Sequence, residues 1–298
     1  MAGLLAPPGS ALSAPGGRPI RAPLTPTDVR RLLAEHGLSP RRSAGQNFVV
    51  DPNTVRRIVR VAGIGPEDRV LEIGPGLGSL TLPLADAAAH VVAIEIDAGL
   101  VVALHAVLAG RPDVEVVHAD ALRTDLDAAL GGQPARLVAN LPYHVATPLV
   151  FHALAALSVT DAFVMVQREV GERWAAVPGD RSYAGVSLKL ALQADVEVAL
   201  TIPRRVFHPV PNVDSVMVRL TRRDDAPDPA TYRRLAALSD TAFAQRRKTL
   251  RNTLSGVAAP HVLEAAAAEA GVELGWRAER LDADHLRRLD AALQARVR

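Results

Sequence analysis

The chain has 298 residues, 49% hydrophobic and 22% charged, a composition that fits about two globular domains and holds no apolar run near the roughly 18 residues of a membrane span. With no cysteine, disulfides, thiolate metal sites, iron–sulfur clusters and thiol nucleophiles are excluded, so any chemistry falls to oxygen, nitrogen or a bound cofactor. The net charge of +2 hides a division: residues 1–60 carry +6, 61–135 carry −8, 136–240 carry +1 and 241–298 carry +3, and two basic ends around an acidic stretch point to a polyanionic partner.

Residues 1–24 are rich in Gly, Pro, Ala and Ser without periodicity and read as a disordered tail. The start lacks a basic segment and its apolar run is broken by Pro7 and Pro8, so it does not read as a signal peptide, and a cytoplasmic protein is expected. Thr27-Asp28 precede a short helix with Val29, Leu32 and Leu33 on one face, ended by Gly37; a second helix follows Asp51-Pro52, with Val55, Ile58, Val59 and Ala62 at helical spacing. Seven strands are then predicted, over 69–73, 90–96, 114–118, 136–139, 162–166, 196–202 and 215–220. Helices fit between the first six, and near-continuous apolar strands alternating with helices imply an α/β domain whose mostly parallel sheet is covered on both faces. Between the sixth and seventh lies only the Pro-rich segment 203–212, so the last strand is expected to enter antiparallel. Strand signals stop after 222–227. The expected organisation is therefore a tail over 1–24, a first domain over 25–225 and an all-helical domain over 226–298.

The first sheet strand runs into Glu72-Ile73-Gly74-Pro75-Gly76-Leu77-Gly78, a turn whose Gly74 and Gly76 let backbone approach a ligand. The spacing is G-x-G-x-G with an acid two residues ahead, unlike the G-x-G-x-x-G of a pyrophosphate site. Glu95 ends the second strand, about 20 residues on, where a carboxylate accepts ribose hydroxyls. Asp120 ends the third, between Ala119 and Ala121, placed to accept an adenine amino group. Three acids at successive strand ends repel phosphates and favour a cationic, phosphate-free nucleoside, a description that S-adenosylmethionine fits. The glycines alone would serve equally as a tight turn; the three features together favour a cofactor.

The fourth strand ends in Asn140-Leu141-Pro142-Tyr143, the most specific motif in the chain. An exocyclic adenine amine is a weak nucleophile because its lone pair is delocalised into the ring. The Asn140 side-chain oxygen and the Leu141 carbonyl can draw its N–H groups out of plane, while Pro142 fixes the turn without a competing N–H. Tyr143 offers a flat face for an extruded base, and Phe207, in the loop before the last strand, is expected on the base's opposite face. His144 is left without a role, and the nine histidines show no metal-ligand spacing, so no metal is expected. Arg246, Arg247, Lys248 and Arg251 form a cationic run on a segment anchored by Phe243, Leu250 and Leu254. Arg247 and Arg251, four apart, are expected on one helix side, and Arg41 and Arg42 form a second cluster; both are read as RNA contacts.

Gly45-Gln46-Asn47-Phe48 with Asp51, Glu72-Ile73-Gly74-Pro75-Gly76, Glu95, Asp120, Asn140-Leu141-Pro142-Tyr143, Gln167-Arg168-Glu169-Val170, Val213-Asp214-Ser215 and the segment 243–252 together resemble the ribosomal RNA adenine dimethyltransferases of the KsgA (RsmA) type, from about residue 26 onward. The resemblance implies a Rossmann-like class I methyltransferase with a seven-stranded sheet and a small all-α C-terminal domain. It also implies S-adenosylmethionine-dependent N6,N6-dimethylation of two adjacent adenines near the 3′ end of 16S rRNA, within an immature small ribosomal subunit. The implied cofactor contacts are Asn47, Val49, Gly74, Glu95, Asp120 and Asn140; the implied target-base residues are Asn140, Leu141, Pro142, Tyr143 and Phe207. A monomer is expected. Val49 stands where the family usually has Leu, and His144 where it usually has Asn. Erm-type 23S rRNA methyltransferases share the glycine loop and the Asn-x-Pro-aromatic motif but differ around 245–252. A non-catalytic RNA-binding factor on the same fold is a further reading, against which the retention of every chemical motif argues.

Overall fold

Thr25, rather than Thr27, caps the first helix, α1 (Pro26–Glu35): Thr25 Oγ1 accepts the Asp28 N–H at 3.3 Å and the Asp28 carboxylate accepts the Thr25 N–H at 3.0 Å. Pro26 then sits in the first turn, where the missing N–H has no intrahelical partner to lose. The computed structural model describes residues 22–41 and 45–297, so most of the expected tail, and Arg42, lie outside the described residues. After β1 (Phe48–Val49) comes α2 (Pro52–Ala62), capped as expected by Asp51, whose carboxylate accepts the Thr54 N–H at 2.8 Å.

Strand and helix then alternate: β2 (Arg69–Ile73), α3 (Thr81–Ala87), β3 (His90–Glu95), α4 (Ala98–Val107), β4 (Val114–His118), α5 (Leu126–Ala129), β5 (Ala135–Asn140), α6 (Ala146–Ala155), β6 (Val159–Gln167), α7 (Arg168–Trp174), α8 (Gly185–Ala191) and β7 (Ala194–Ile202). The two-residue β8 (Phe207–His208) and then β9 (Ser215–Arg222) follow. Seven strands form one sheet in the order β4-β3-β2-β5-β6-β9-β7, and β9 runs antiparallel to both β6 and β7 while the other pairings are parallel. The reversed last strand follows from the short irregular connection before it, as the sequence implies.

Alternation along the strands feeds two cores. Leu71 and Leu137 pack with Leu149, Val150 and Leu154 of α6 on one face, whereas Val70 and Val138 pack with Val55 and Ile58 of α2 and Leu84 of α3 on the other. The chain leaves β2 towards β3 and β4 on one side and towards β5 on the other. That reversal opens a crevice at the strands' carboxyl ends, the place where such sheets hold ligands.

After Arg222 the described residues are helical: α9 (Pro229–Phe243), α10 (Leu250–Thr253), α11 (Pro260–Ala270) and α12 (Ala283–Val297), with a short 3-10 turn at Ala278–Arg280. Their core, with Leu235, Leu263 and Leu289, also takes in Tyr183, Leu188 and Leu192 from around α8, and the Tyr183 hydroxyl donates to the Leu281 carbonyl at 2.7 Å.

Arg136 of β5 fastens α2 to the sheet, donating to the Ala62 and Gly63 carbonyls at 2.8 Å each and to Asp161 of β6 at 2.9 Å. Arg136→Ala leaves two helix-end carbonyls and a half-buried carboxylate without their donor, and is expected to cost about 2–3 kcal/mol in urea unfolding. An unchanged midpoint and slope would show that water replaces the guanidinium at no cost.

Candidate active site

The crevice holds a cavity of about 370 Å³ lined from β1, the glycine turn and the ends of β3, β4 and β5. Gly74 and Gly76 both adopt left-handed backbone, with φ +73° and +60°. At Gly76 a Cβ would stand 2.8 Å from the Phe48 ring, so the turn lies against β1; at Gly74 it would face Pro142 at 3.6 Å. Any other residue at Gly76 would thus meet both the wrong φ and a buried ring. The turn therefore touches both the 45–49 segment and the Asn140-Leu141-Pro142 motif, three stretches far apart in sequence.

Glu95 is 5% exposed and spends its carboxylate on backbone: Oε1 accepts from Ile96 and Asp97 at 2.9 Å, and Oε2 from Gly76 at 3.1 Å. Burial pushes its pKa above the usual carboxylate range, and these three N–H groups oppose the shift. Asp97, which sequence reasoning passed over, caps α4 and receives Arg41 at 3.4 Å. Its signal was present, an Asp immediately before a helical run. Asp120 is half-exposed, accepts the Leu122 N–H at 3.0 Å, and lines the cavity beside Ala119 and Ala121.

Glu72 behaves differently from the expectation of three charged acids. It is 1% exposed, and burial, with Glu95 nearby, pushes its pKa up to about 8. Thr81 stands close enough to counter part of the shift, although its hydroxyl falls short of hydrogen-bond geometry, and Glu72 Oε2, Ser79 Oγ and Thr81 Oγ1 carry no partner among the described residues. With its pKa pushed up to about 8, Glu72 favours its protonated form at neutral pH.

Asn140 ends β5 with its Nδ2 donating to the Asn47 carbonyl at 2.8 Å, and Asn47 Nδ2 donates to the Gly45 carbonyl at 3.2 Å. A carbonyl demands a donor, which fixes the amide's orientation and leaves Asn140 Oδ1 as an acceptor on a residue lining the cavity. Val49 belongs to the lining too, held by pairing of β1 with β8, in which Phe48 faces His208 and Val49 faces Phe207. Pro142 and His144 line the cavity, while Leu141 is buried and donates its N–H to Met165. Tyr143, half-buried, stands outside the lining with its hydroxyl 2.7 Å from Ser215 Oγ, a partner that sequence reasoning did not assign.

Phe207 departs from expectation. It is 2% exposed and packs in the core with Val49, Ile202 and Met217, so its ring does not face the cavity. Its backbone pairs with Val49 instead, and it acts on the site by holding the 48–49 segment. A Phe flanked by Pro residues reads alike as a stacking platform or as a core plug; only the register with β1 separates them.

The basic run is also placed differently. α9 stops at Phe243, so Arg246 and Arg247 sit exposed in a turn closed by the Lys248 N–H on the Gln245 carbonyl. Leu250 and Arg251 donate their N–H groups to Trp276 and Leu274 at 2.7 and 2.9 Å, which diverts donors that a continuous helix would need. Arg247 and Arg251 hence share no helix face, and Arg251 is paired with Glu264 of α11 at 2.6 Å. Arg246, Arg247 and Lys248 remain exposed cations without a carboxylate partner among the described residues. Arg41 is 70% exposed despite its pairing with Asp97.

Residues 37–293 match the family model described as ribosomal RNA adenine dimethylase. The chain is 52% identical over 266 residues to Ribosomal RNA small subunit methyltransferase A of Thermobifida fusca, covering 87% of this chain and 92% of that protein. It is 47% identical over 287 residues to the protein of the same name from Rhodococcus opacus, covering 93% and 97%. Among solved structures it is similar to the 23S rRNA methyltransferase ErmE, with a TM-score of 0.65 and 30% identity over 83% of this chain and 99% of that one. It shares its fold with a dimethyladenosine transferase from Plasmodium falciparum, with a TM-score of 0.69 and 24% identity over 84% and 98%.

A carboxyl whose pKa is higher folded than unfolded makes the protein lose stability as pH rises from the ordinary carboxylate range through the folded value. For Glu72 that window runs from 4.5 to about 8. Glu72→Gln, which keeps the shape and cannot ionise, is expected to lower the difference in thermal midpoint between pH 6 and pH 8.5. An unchanged difference would mean that Glu72 is ionised throughout.

Proposed function

The chain belongs to the ribosomal RNA adenine dimethylase family, and on that footing we propose that it transfers methyl groups from S-adenosylmethionine to the N6 amines of two adjacent adenines in the 3′-terminal hairpin of 16S rRNA. It acts on the immature small subunit, as a monomer in the cytoplasm. No helix among the described residues is long and apolar enough to cross a membrane. The observation that carries the reading is the fixed Asn140 amide, whose nitrogen is committed to Asn47 and whose oxygen is left to accept from an amine at the cavity.

The cavity suits a cationic nucleoside. Glu95 Oε2 has a single backbone partner, the two left-handed glycines bring bare backbone to the wall, and Asp120 stands beside two alanines. Asn47, Val49, Gly74, Gly76, Glu95, Asp120 and Asn140 would hold the cofactor, which when bound supplies an activated methyl group on a sulfonium. Asn140 Oδ1 and the Leu141 carbonyl draw the adenine N–H groups out of plane, so that positive charge develops on nitrogen against two aligned acceptors. Tyr143, held by Ser215, provides the face for the extruded base, and Pro142 keeps the turn. The resulting cationic amine loses its proton to solvent, and no strong general base is needed.

Residues 25–225 form the transferring domain in this reading and 226–298 the helical RNA-binding module, with Arg246, Arg247 and Lys248 on phosphates. Arg41 and Arg42 are assigned to RNA as well, and Arg251 to a weaker contact, since Glu264 already offsets it.

Labelled S-adenosylmethionine incubated with the protein and unmethylated small subunits should yield dimethyladenosine confined to the 3′-terminal hairpin of 16S rRNA. Label in 23S rRNA alone would indicate the Erm-type activity, and no transfer a non-catalytic factor. Asn140→Ala is expected to reduce transfer more than a hundredfold, since one acceptor aimed at developing charge is worth about 3 kcal/mol or more, with RNA affinity within twofold.

A further inference from the structure

α2 carries Asn53, Arg56, Arg57 and Arg60 at helical spacing on the face opposite its buried Val55, Ile58, Val59 and Ala62, and all four are exposed. Every other α-helix that bears arginine ties at least one of them to a carboxylate: Arg31 to Glu35 in α1, Arg173 to Glu169 in α7, Arg234 to Asp290 in α9, Arg251 to Glu264 in α10, and Arg287 to Asp225 in α12. The three of α2 have no such partner among the described residues, and beyond its cap the helix has no acid. Like charges three and four apart destabilise a helix by a few tenths of a kcal/mol per pair, and here nothing within the chain offsets it.

Arg56 and Arg60 border a groove of about 570 Å³ whose one carboxylate, Asp86, is already held by Arg111 at 2.6 Å. At the other end of the stripe the Val50 N–H donates to the Val206 carbonyl at 2.8 Å, setting the exposed Arg205 beside the start of α2. Val49, one residue before that bond, lines the cavity. From Arg56 to Arg60 the cations run for about 6 Å along the helix that follows the cavity-lining β1.

We propose that the α2 stripe, Arg56, Arg57 and Arg60 with Arg205 at its head, is a second RNA-backbone contact surface, separate from the 246–248 turn. It rests on the reading that the substrate is ribosomal RNA and deepens it: the RNA is gripped at two places. Arginine forks with no internal acid match phosphate oxygens, and the surface positions RNA without reading its sequence.

The test uses the full chain with Arg56, Arg57 and Arg60 all changed to Gln, and measures binding to unmethylated small subunits and to protein-free 16S rRNA across a salt series. Expected are affinities at least tenfold lower on both, a log-log salt slope flatter by about two to three units, unchanged S-adenosylmethionine affinity, and a melting temperature no lower than that of the unmutated protein, since the like-charge pairs are relieved. Because the chain has no cysteine, Asn53→Cys can carry a single tethered iron–EDTA reagent, which should cut 16S rRNA in the complex. Unchanged affinity and slope with no cutting would overturn the proposal. Loss on subunits but not on free rRNA would overturn it too, assigning the stripe to an acidic protein. Absence of methyl transfer to 16S rRNA by the unmutated protein would instead overturn the functional reading beneath it.

Discussion

The hydrogen bond from Asn140 to the Asn47 carbonyl joins two segments 93 residues apart and sets the geometry on which the remaining site depends. Its net worth for stability is about 1 kcal/mol, but its directional consequence is larger, because the same amide cannot then rotate to present nitrogen to the cavity. Around it the supports converge. β8 holds β1, Phe48 fills the space that Gly76 leaves, and Pro142 lies on Gly74. A site that must place a nucleophile to within a fraction of an ångström is built here on strand ends and a short interlocked loop rather than on a free one.

Charge is sorted by depth. Inside, Glu95 is fixed by three backbone N–H groups and burial favours the neutral form of Glu72, so that three adjacent full charges are not placed in a dry space. Outside, many arginines are locked in ion pairs, among them Arg111 with Asp86 and Asp113 and Arg223 with Asp195 and Asp225. Among the described residues, the exposed arginines of α2 and of the 246–248 turn are among those left without a carboxylate partner. The acid-lined cavity and the cationic surface are thus kept apart on one protein.

The sheet was legible because buried parallel strands read as unbroken apolar runs; the predicted spans differ from the observed ones by a few residues at their ends. The acids and Asn140 were legible because each lies at or within two residues of its strand's carboxyl end. What escaped depends on contacts distant in sequence. The β1–β8 pair is two residues long and shows no alternation, and the pairing that buries Phe207 joins positions about 160 residues apart. The basic segment keeps a helical pattern in sequence, yet its N–H groups are taken by Leu274 and Trp276, and Glu264 reaches Arg251 from another helix. Glu72 was recognised as an acid but not as a neutral one, since burial is not written in its neighbours.

Asn140→Asp tests the coupling of the two segments most directly, because it keeps an oxygen acceptor and removes the donor that Asn47 requires. Calorimetric titration with S-adenosylmethionine at neutral pH should show binding at least tenfold weaker, as the carboxylate repels the Asn47 carbonyl and releases the cavity wall. Affinity equal to that of the unmutated protein would contradict the account.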